Sequence, residues 1–236
     1  MADGIYVGMA AAAARAAQLE SVSDNLANAQ SPGFKASRPA FQSFLPARNG
    51  NDKILAAAVA TGIDMRPGVT TPTDRPLDVI PGPDTFLAVA TPSGAVAYTR
   101  NGSIEQGADN ELLIAGNRVL DDQGQPIVIP PGTTPIINER GEVFADDSYL
   151  GKLGNYRING PIDRLGPTLM GPGQGAQVTA AEDTKYTIGA LEMGNAPALE
   201  ATIQMIQTQR HFETAMQAIQ TYRKMDERAV EVGRIR

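Results

Sequence analysis

Cysteine and tryptophan are absent from the 236 residues, histidine occurs once, and the aromatic side chains amount to six Tyr and six Phe. Without cysteine there is no disulfide, no Cys-ligated zinc, no iron–sulfur cluster and no thiol nucleophile. The single histidine, His211, rules out a multi-histidine metal centre and leaves one imidazole for acid–base work. Basic residues are outnumbered, 20 Lys+Arg against 26 Asp+Glu for a net charge of −6. Neutralising phosphates needs clustered Lys/Arg, so no nucleic-acid partner is expected. Apolar runs are short: that at 54–60 falls far below the roughly 18–20 residues of a membrane span, and none is expected. The N-terminus lacks the layout of a cleaved secretory signal, since Asp3 comes first and Arg15 interrupts the Ala-rich stretch. Glycine and proline are plentiful, 24 and 17, which implies many turns.

What is present divides into three parts. At the N-terminus, Ile5, Met9, Ala12, Ala16, Leu19, Ser23 and Leu26 recur in alternating steps of four and three, a thin heptad seam. Pro32-Gly33 ends it, predicting a helix of about 35 Å at 1.5 Å per residue. At the other end nothing breaks the chain between Pro197 and Gly233. There Leu199, Ile203, Ile206, Gln209, Phe212, Met216, Ile219, Tyr222, Met225, Ala229 and Val232 recur every three or four residues, predicting a helix of about 50 Å. Each large apolar side chain it buries is worth roughly 1.5–3 kcal/mol, a gain that needs a partner surface. The N-terminal helix is the nearest one. Between the helices, 87–91, 95–100, 111–114, 118–120 and 127–129 read as short strands separated by Pro92-Ser93-Gly94, Asn101-Gly102, Ala115-Gly116-Asn117 and Asp121-Asp122-Gln123-Gly124. The stretch 35–75, with Pro39, Pro46, Pro67 and Pro72, reads as an extended connector.

Little in the chain carries chemistry. Gly171-Pro172-Gly173-Gln174-Gly175-Ala176 satisfies the dinucleotide-binding pattern literally, with Glu192 about 20 residues on. That pattern requires a strand before and a helix after it, whereas Gly166-Pro167 precedes it and a β-like stretch, 177–188, follows; it reads as a loop. His211 lies in the C-terminal helix with no nucleophile or orienting group in recognisable relation to it. Asp121-Asp122 and Asp146-Asp147 fall at turns without the alternating ligands of a calcium loop. No catalytic residue, cofactor or metal is expected. At the first helix's end, Asn25 and Asn28 stand one helical turn apart before Ser31-Pro32-Gly33-Phe34-Lys35, a specified corner with satisfied backbone.

That segment, SDNLANAQSPGFK, resembles the N-terminal signature of the bacterial flagellar axial proteins, the basal-body rod and hook family. The resemblance continues through Phe41. RPLDVIPGPDTFLAV, AYTRNGSI, ELLIAGNRVLDDQGQPIVIP and NERGEVF are similar to that family's β domain, and LEMGNAPALEATIQMIQTQRHFETAMQAIQ to its C-terminal helix. Three ordered blocks thus cover nearly the whole chain. Its length, with Ile5-Tyr6 and Met9, is most similar to the proximal-rod subunits; a distal-rod or hook-type subunit is the alternative within the family. Met193-Gly194-Asn195-Ala196-Pro197 departs from the usual Ser-Asn-Val-Asn entry to the last helix, and Pro81 stands in a strand-like stretch. A reading from another class is a carbohydrate-binding β module oligomerised by its terminal coiled coil.

The expected fold is α+β: N- and C-terminal helices forming a split coiled-coil domain, with a central antiparallel all-β domain inserted between them. Its parts are 1–34 (helix), 35–75 (connector), 76–190 (β domain) and 191–236 (helix). The resemblance implies a non-enzymatic subunit of the periplasmic rod that polymerises helically as drive shaft and export channel. Its implied partners are other proximal- and distal-rod subunits, copies of itself, and the flagellar export apparatus during secretion. The expected subunit-interface residues are Ile5, Met9, Leu19, Leu26, Asn25, Asn28, Gly33, Phe34, Leu199, Ile203, Ile206, Phe212, Met216 and Ile219.

Overall fold

The computed structural model describes residues 2–44, 55–146, 148–181 and 184–234, and the chain is α+β. It divides into two compact units. The first comprises Met1–Ala27, Ser37–Asp64 and Ala196–Arg236; the second comprises Asn28–Ala36 and Met65–Asn195.

In the first unit, helix α1 spans Ala2–Ala27 and helix α2 spans Ala198–Arg234, 26 and 37 residues long. The first is rich in Ala and the second in Ala, Gln, Glu and Arg, residues that lose little on entering a helix. Helix α2 starts directly after Pro197, whose carbonyl accepts the Ala201 N–H at 2.9 Å. The two helices pack on one another, and α1 also packs on an antiparallel pair, Ser37–Phe44 with Leu55–Ile63. Two parts of the stretch 35–75, Ser37–Phe44 and Leu55–Ile63, are thus paired strands rather than mere connection, and 45–54 lie outside the described residues. A register shift between Ala40 and Phe41 interrupts this ladder, and Arg38 pairs with Asp64 at 2.7 Å.

This packing changes which residues face inward. On α1 the buried side chains are Ala12, Ala14, Ser21, Val22 and Asn25, while Met9, Ala16 and Ser23 of the expected seam are exposed. The seam is rotated because α1 covers a hairpin as well as a helix. At its narrow end the approach is close: a Cβ on Gly8 would lie 2.7 Å from Ile219 Cγ1 and 4.0 Å from Ile219 Cβ. On α2 the inward stripe is Ala201, Met205, Thr208, Phe212, Ala215 and Ile219, in steps of three and four. Leu199, Ile203 and Ile206 are 76%, 49% and 51% exposed. At 100° per residue they stand on the opposite side of the helix from that stripe. The regular recurrence in the sequence thus merges two faces into one.

The second unit is antiparallel β. Its largest sheet runs, in spatial order, Ile162–Arg164, Leu169–Pro172, Val96–Thr99, Phe86–Ala90, Asn117–Val119, Leu112–Ile114 and Glu105–Gln106. Asn155–Asn159 joins it beside Phe86–Ala90 and carries Gln177–Ala180. A three-stranded sheet, Pro135–Ile137, Glu142–Ala145 and Ser148–Lys152, stands separately. The core gathers Val79, Leu87, Val89, Ile104, Leu112, Ile129 and Val143 among others. Four of the five expected strands form ladders; 127–129 makes only isolated bridges, with Ile127 and Ile129 buried and Val128 outward. Asn101-Gly102, read as a hairpin turn, is instead a buried corner. A Cβ on Gly102 would lie 1.6 Å from the Val79 carbonyl oxygen, so only glycine allows that approach.

Candidate functional site

The feature of the second unit that the sequence does not announce is a buried ionic cluster. Lys35 follows directly after the Pro-Gly-Phe corner, Arg100 closes the strand Val96–Thr99, and Glu192 ends the strand Ala190–Glu192. All three side chains are buried. Glu192 Oε1 accepts from Lys35 Nζ at 2.6 Å and from the Gly68 N–H at 2.9 Å. Its Oε2 accepts from Arg100 Nη2 at 2.6 Å and from Arg100 Nε at 2.9 Å. The remaining donors are also used. Arg100 reaches the carbonyls of Pro81, Gly82 and Thr85, and Lys35 reaches that of Arg66 at 2.8 Å. Burial, the largest single influence on Glu192, opposes its ionisation. The Arg100 charge and the hydrogen bonds from Lys35, Gly68 and Arg100 outweigh it and hold the carboxyl below the usual carboxylate range. A charge this deep persists only because each lone pair has a partner.

Backbone contacts knit the same place. The Gly33 N–H donates to the Glu192 carbonyl at 2.7 Å, and Asn195 N–H to the Phe34 carbonyl at 3.3 Å. Asn195 accepts the Ala36 N–H at 2.7 Å and donates to the Arg66 carbonyl at 2.9 Å. Phe34 is 1% exposed, under the Arg164 guanidinium at 4.9 Å from its ring centre. Arg164 also donates to the Lys35 carbonyl. Gly33 has φ +70°, and a Cβ there would lie 2.0 Å from Asn101 N, so both its conformation and its space demand glycine.

The expected interface residues separate accordingly. Leu199, Ile203, Ile206, Met216 and Met9 are exposed, and Ile5, Leu19, Leu26, Phe212 and Ile219 half-buried in the helical unit. Asn25, Gly33 and Phe34 are buried and serve the chain's own corner: Asn25 accepts the Ser37 N–H and donates to the Ser37 carbonyl, both at 2.8 Å. Asn28, half-buried, sits in the turn where its carbonyl accepts the Ser31 N–H at 3.0 Å. Glu192, placed by the sequence at the spacing of a ribose-binding acid, belongs to the cluster. No helix follows the Gly-rich turn at 171–176, which leads to the strand Gln177–Ala180. Asp121 Oδ1 accepts the N–H groups of Gln123 and Gln125, a closed turn; Asp147 lies outside the described residues. His211 is exposed on α2. Among the described residues no group of three or more His, Asp or Glu could hold a metal ion, and no helix is long and apolar enough to cross a membrane.

Three stretches match known families: residues 5–35 the flagella basal body rod protein family, 80–145 the flagellar hook protein FlgE/F/G D1 domain, and 188–232 the flagellar basal body rod FlgEFG protein C-terminal family. Over 97% of both chains, this one is 32% identical to the flagellar basal-body rod protein FlgF of Salmonella typhimurium. It is 33% identical to FlgF of Escherichia coli over 93% of each chain, and 30% identical to FlgF of Mesorhizobium japonicum over 99%. The chain belongs to the flagellar basal-body rod proteins. Within them it is of the FlgF, proximal-rod type, a structural protein of the basal-body rod and not an enzyme. Each matched stretch supplies one charge to the buried cluster: Lys35 from the first, Arg100 from the second and Glu192 from the third.

Proposed function

We propose that the chain polymerises helically across the periplasm as part of the drive shaft and export channel that link the motor to the hook. In this reading α1 and α2 form a split coiled-coil domain into which the β domain is inserted. The neighbours are other rod subunits and copies of itself, and the export apparatus handles the chain during secretion. The observation that carries the reading is the row Leu199, Ile203 and Ile206, exposed on the side of α2 away from its inward stripe. Three large apolar side chains in two turns of helix are about half or more exposed, and a neighbouring subunit that covered them would recover roughly 1–2 kcal/mol each. Met9 on α1 and Met216 on α2 are exposed as well. Before assembly the helices therefore bury too little to be fully ordered, and lateral and axial neighbours complete them.

Replacing Ile203 and Ile206 by glutamate tests this. Both residues are good helix positions on an exposed face, so the chain is expected to remain folded by circular dichroism. It should be secreted but fail to enter the rod, leaving a strain that lacks its own copy non-motile. Normal swarming by the double variant would overturn the reading.

A further inference from the structure

One side of the three-stranded sheet carries a row of large apolar side chains that stands open. Register sets Ile136 directly opposite Phe144, and Phe144 directly opposite Tyr149. Side chains alternate faces along a strand, so Ile137, Val143 and Ala145 point the other way, and all three are buried. Phe144 and Tyr149 meet edge to face with ring centres 5.7 Å apart. Ile136 is 48% exposed and Tyr149 60%. From Tyr149 the chain runs past the Asp121-Asp122 turn to a second edge-to-face pair, Tyr156 with Tyr98. The Asp122 N–H donates to the Lys152 carbonyl at 3.0 Å. A Cβ on Gly154 would lie 2.6 Å from the Asp121 carbonyl oxygen and 3.1 Å from the Tyr156 ring.

Negative charge is in excess here. Asp121, Asp122 and Glu142 border the row, whereas Lys152, opposite Glu142 in the ladder, is the only cation on the three strands. Two of the carboxylates accept from neutral donors, which leave their charge in place: Asp121 from the Gln123 and Gln125 N–H groups, Glu142 from the Asn138 amide at 2.6 Å. Burial, then the carboxylates of Asp122, Glu142 and Asp121, push the Tyr149 phenol above its ordinary range; burial, Asp122 and Asp121 do the same at Tyr156. A wholly apolar partner laid on the row would strip water from these carboxylates and supply no counter-charge. A guanidinium meets both requirements, because it pairs with carboxylates and stacks on aromatic faces.

We propose that the face formed by Ile136, Phe144 and Tyr149, bordered by Asp121, Asp122 and Glu142, is a docking surface for an arginine-bearing segment of another protein. The segment's apolar side chains cover the row, and its guanidinium lies between the Tyr149 ring and the carboxylates. The surface belongs to the β unit, whereas the α2 row that carries the rod reading belongs to the helical unit, so either can fail without the other.

The test uses the full-length chain with 13C-labelled tyrosine rings, in about 0.15 M salt so that exposed long-range attraction is screened. The probes are an acetylated pentapeptide alternating arginine with leucine, and the same peptide with citrulline, which is neutral, in place of arginine. Tyr149 is expected to shift saturably with the arginine peptide, and calorimetry to show the citrulline peptide binding about tenfold more weakly or worse. Tyr149→Ala and, separately, Asp122→Asn should each weaken the arginine peptide about fivefold or more; both positions are exposed. Equal affinity for the two peptides, no saturable Tyr149 shift below about 1 mM, or unchanged affinity in a folded variant would overturn the proposal. So would Tyr222 of α2, also exposed, shifting in parallel with Tyr149, since that marks indiscriminate binding. Tyr149 shifts caused by N-acetylchitotetraose and not by the arginine peptide would make the face a saccharide surface and overturn it equally. The two-peptide comparison needs no substitution, so it decides even where a variant fails to fold.

Discussion

Glu192→Gln is the substitution whose effect on stability the structure defines most closely. The carboxylate holds two cations that are themselves buried, Lys35 and Arg100 at 1% and 5% exposure. The amide keeps one oxygen for Lys35 and Gly68 but turns an NH2 group toward the Arg100 Nε and Nη2 donors, which then face a donor instead of an acceptor. Arg100 retains three backbone carbonyls and Lys35 retains that of Arg66, so the cations are under-neutralised rather than stranded. Breaking a buried pair from one side costs about 3–5 kcal/mol, and these surviving contacts place the loss toward the lower end. At about 2–4 °C per kcal/mol, the β-unit transition should fall by roughly 6–20 °C in a calorimetric scan. The pH dependence is a second, independent readout. Folding holds the Glu192 carboxyl below the usual carboxylate range, so as pH falls the unfolded chain protonates first, near its ordinary value of about 4.3. The contribution is complete above that pH and is lost as pH drops through the lower folded value. The stability gap between wild type and variant should therefore be widest at neutral pH and narrow below about pH 4. A gap under 1 kcal/mol at pH 7, or one that stays constant from neutral pH into acid, would refute the reasoning.

Other positions carry predictions of different kinds. Gly33→Ala places a methyl 2.0 Å from backbone nitrogen at φ +70°, and should leave no cooperative β-unit transition; a melt within a few degrees of wild type would count against the corner geometry. Asn25→Ala leaves the Ser37 N–H without its acceptor in the helical unit and should cost about 1–3 kcal/mol by denaturant unfolding, with no change in the β-unit transition. Tyr186→Phe removes a buried hydroxyl that has no hydrogen-bond partner in the β core, and should be neutral or stabilising by up to about 2 kcal/mol; a loss above 1 kcal/mol would show that the hydroxyl is satisfied.

Much was legible before any coordinates, and unevenly so. The presence of α1 and α2 follows from local chemistry: an Ala-rich run that ends at Ala27, ahead of Pro32-Gly33, and a long run without proline after Pro197. The strands at Phe86–Ala90, Val96–Thr99, Leu112–Ile114 and Asn117–Val119 were readable from β-branched runs between turn residues. The Asn25 corner was recognisable because an amide at a helix end has few other uses. Faces were harder. Periodicity alone cannot separate the inward Ala201–Thr208–Phe212 stripe from the outward Leu199, Ile203 and Ile206, because steps of three and four accommodate both when a helix is apolar on two sides.

The sequence by itself therefore determined where the two helices and four of the central strands lie, and that no metal or thiol chemistry built on cysteine is available. These depend on side-chain identity within a few neighbouring residues, whereas glycine at 33 and 102 is demanded by the distant Asn101 and Val79 backbone. Tertiary structure alone decided that Lys35, Arg100 and Glu192 meet. They lie 65 to 157 positions apart, and nothing near any one of them in the sequence points to the other two. A salt bridge between such distant residues has no local signature, since its partners are selected by the packing that removes water from around them.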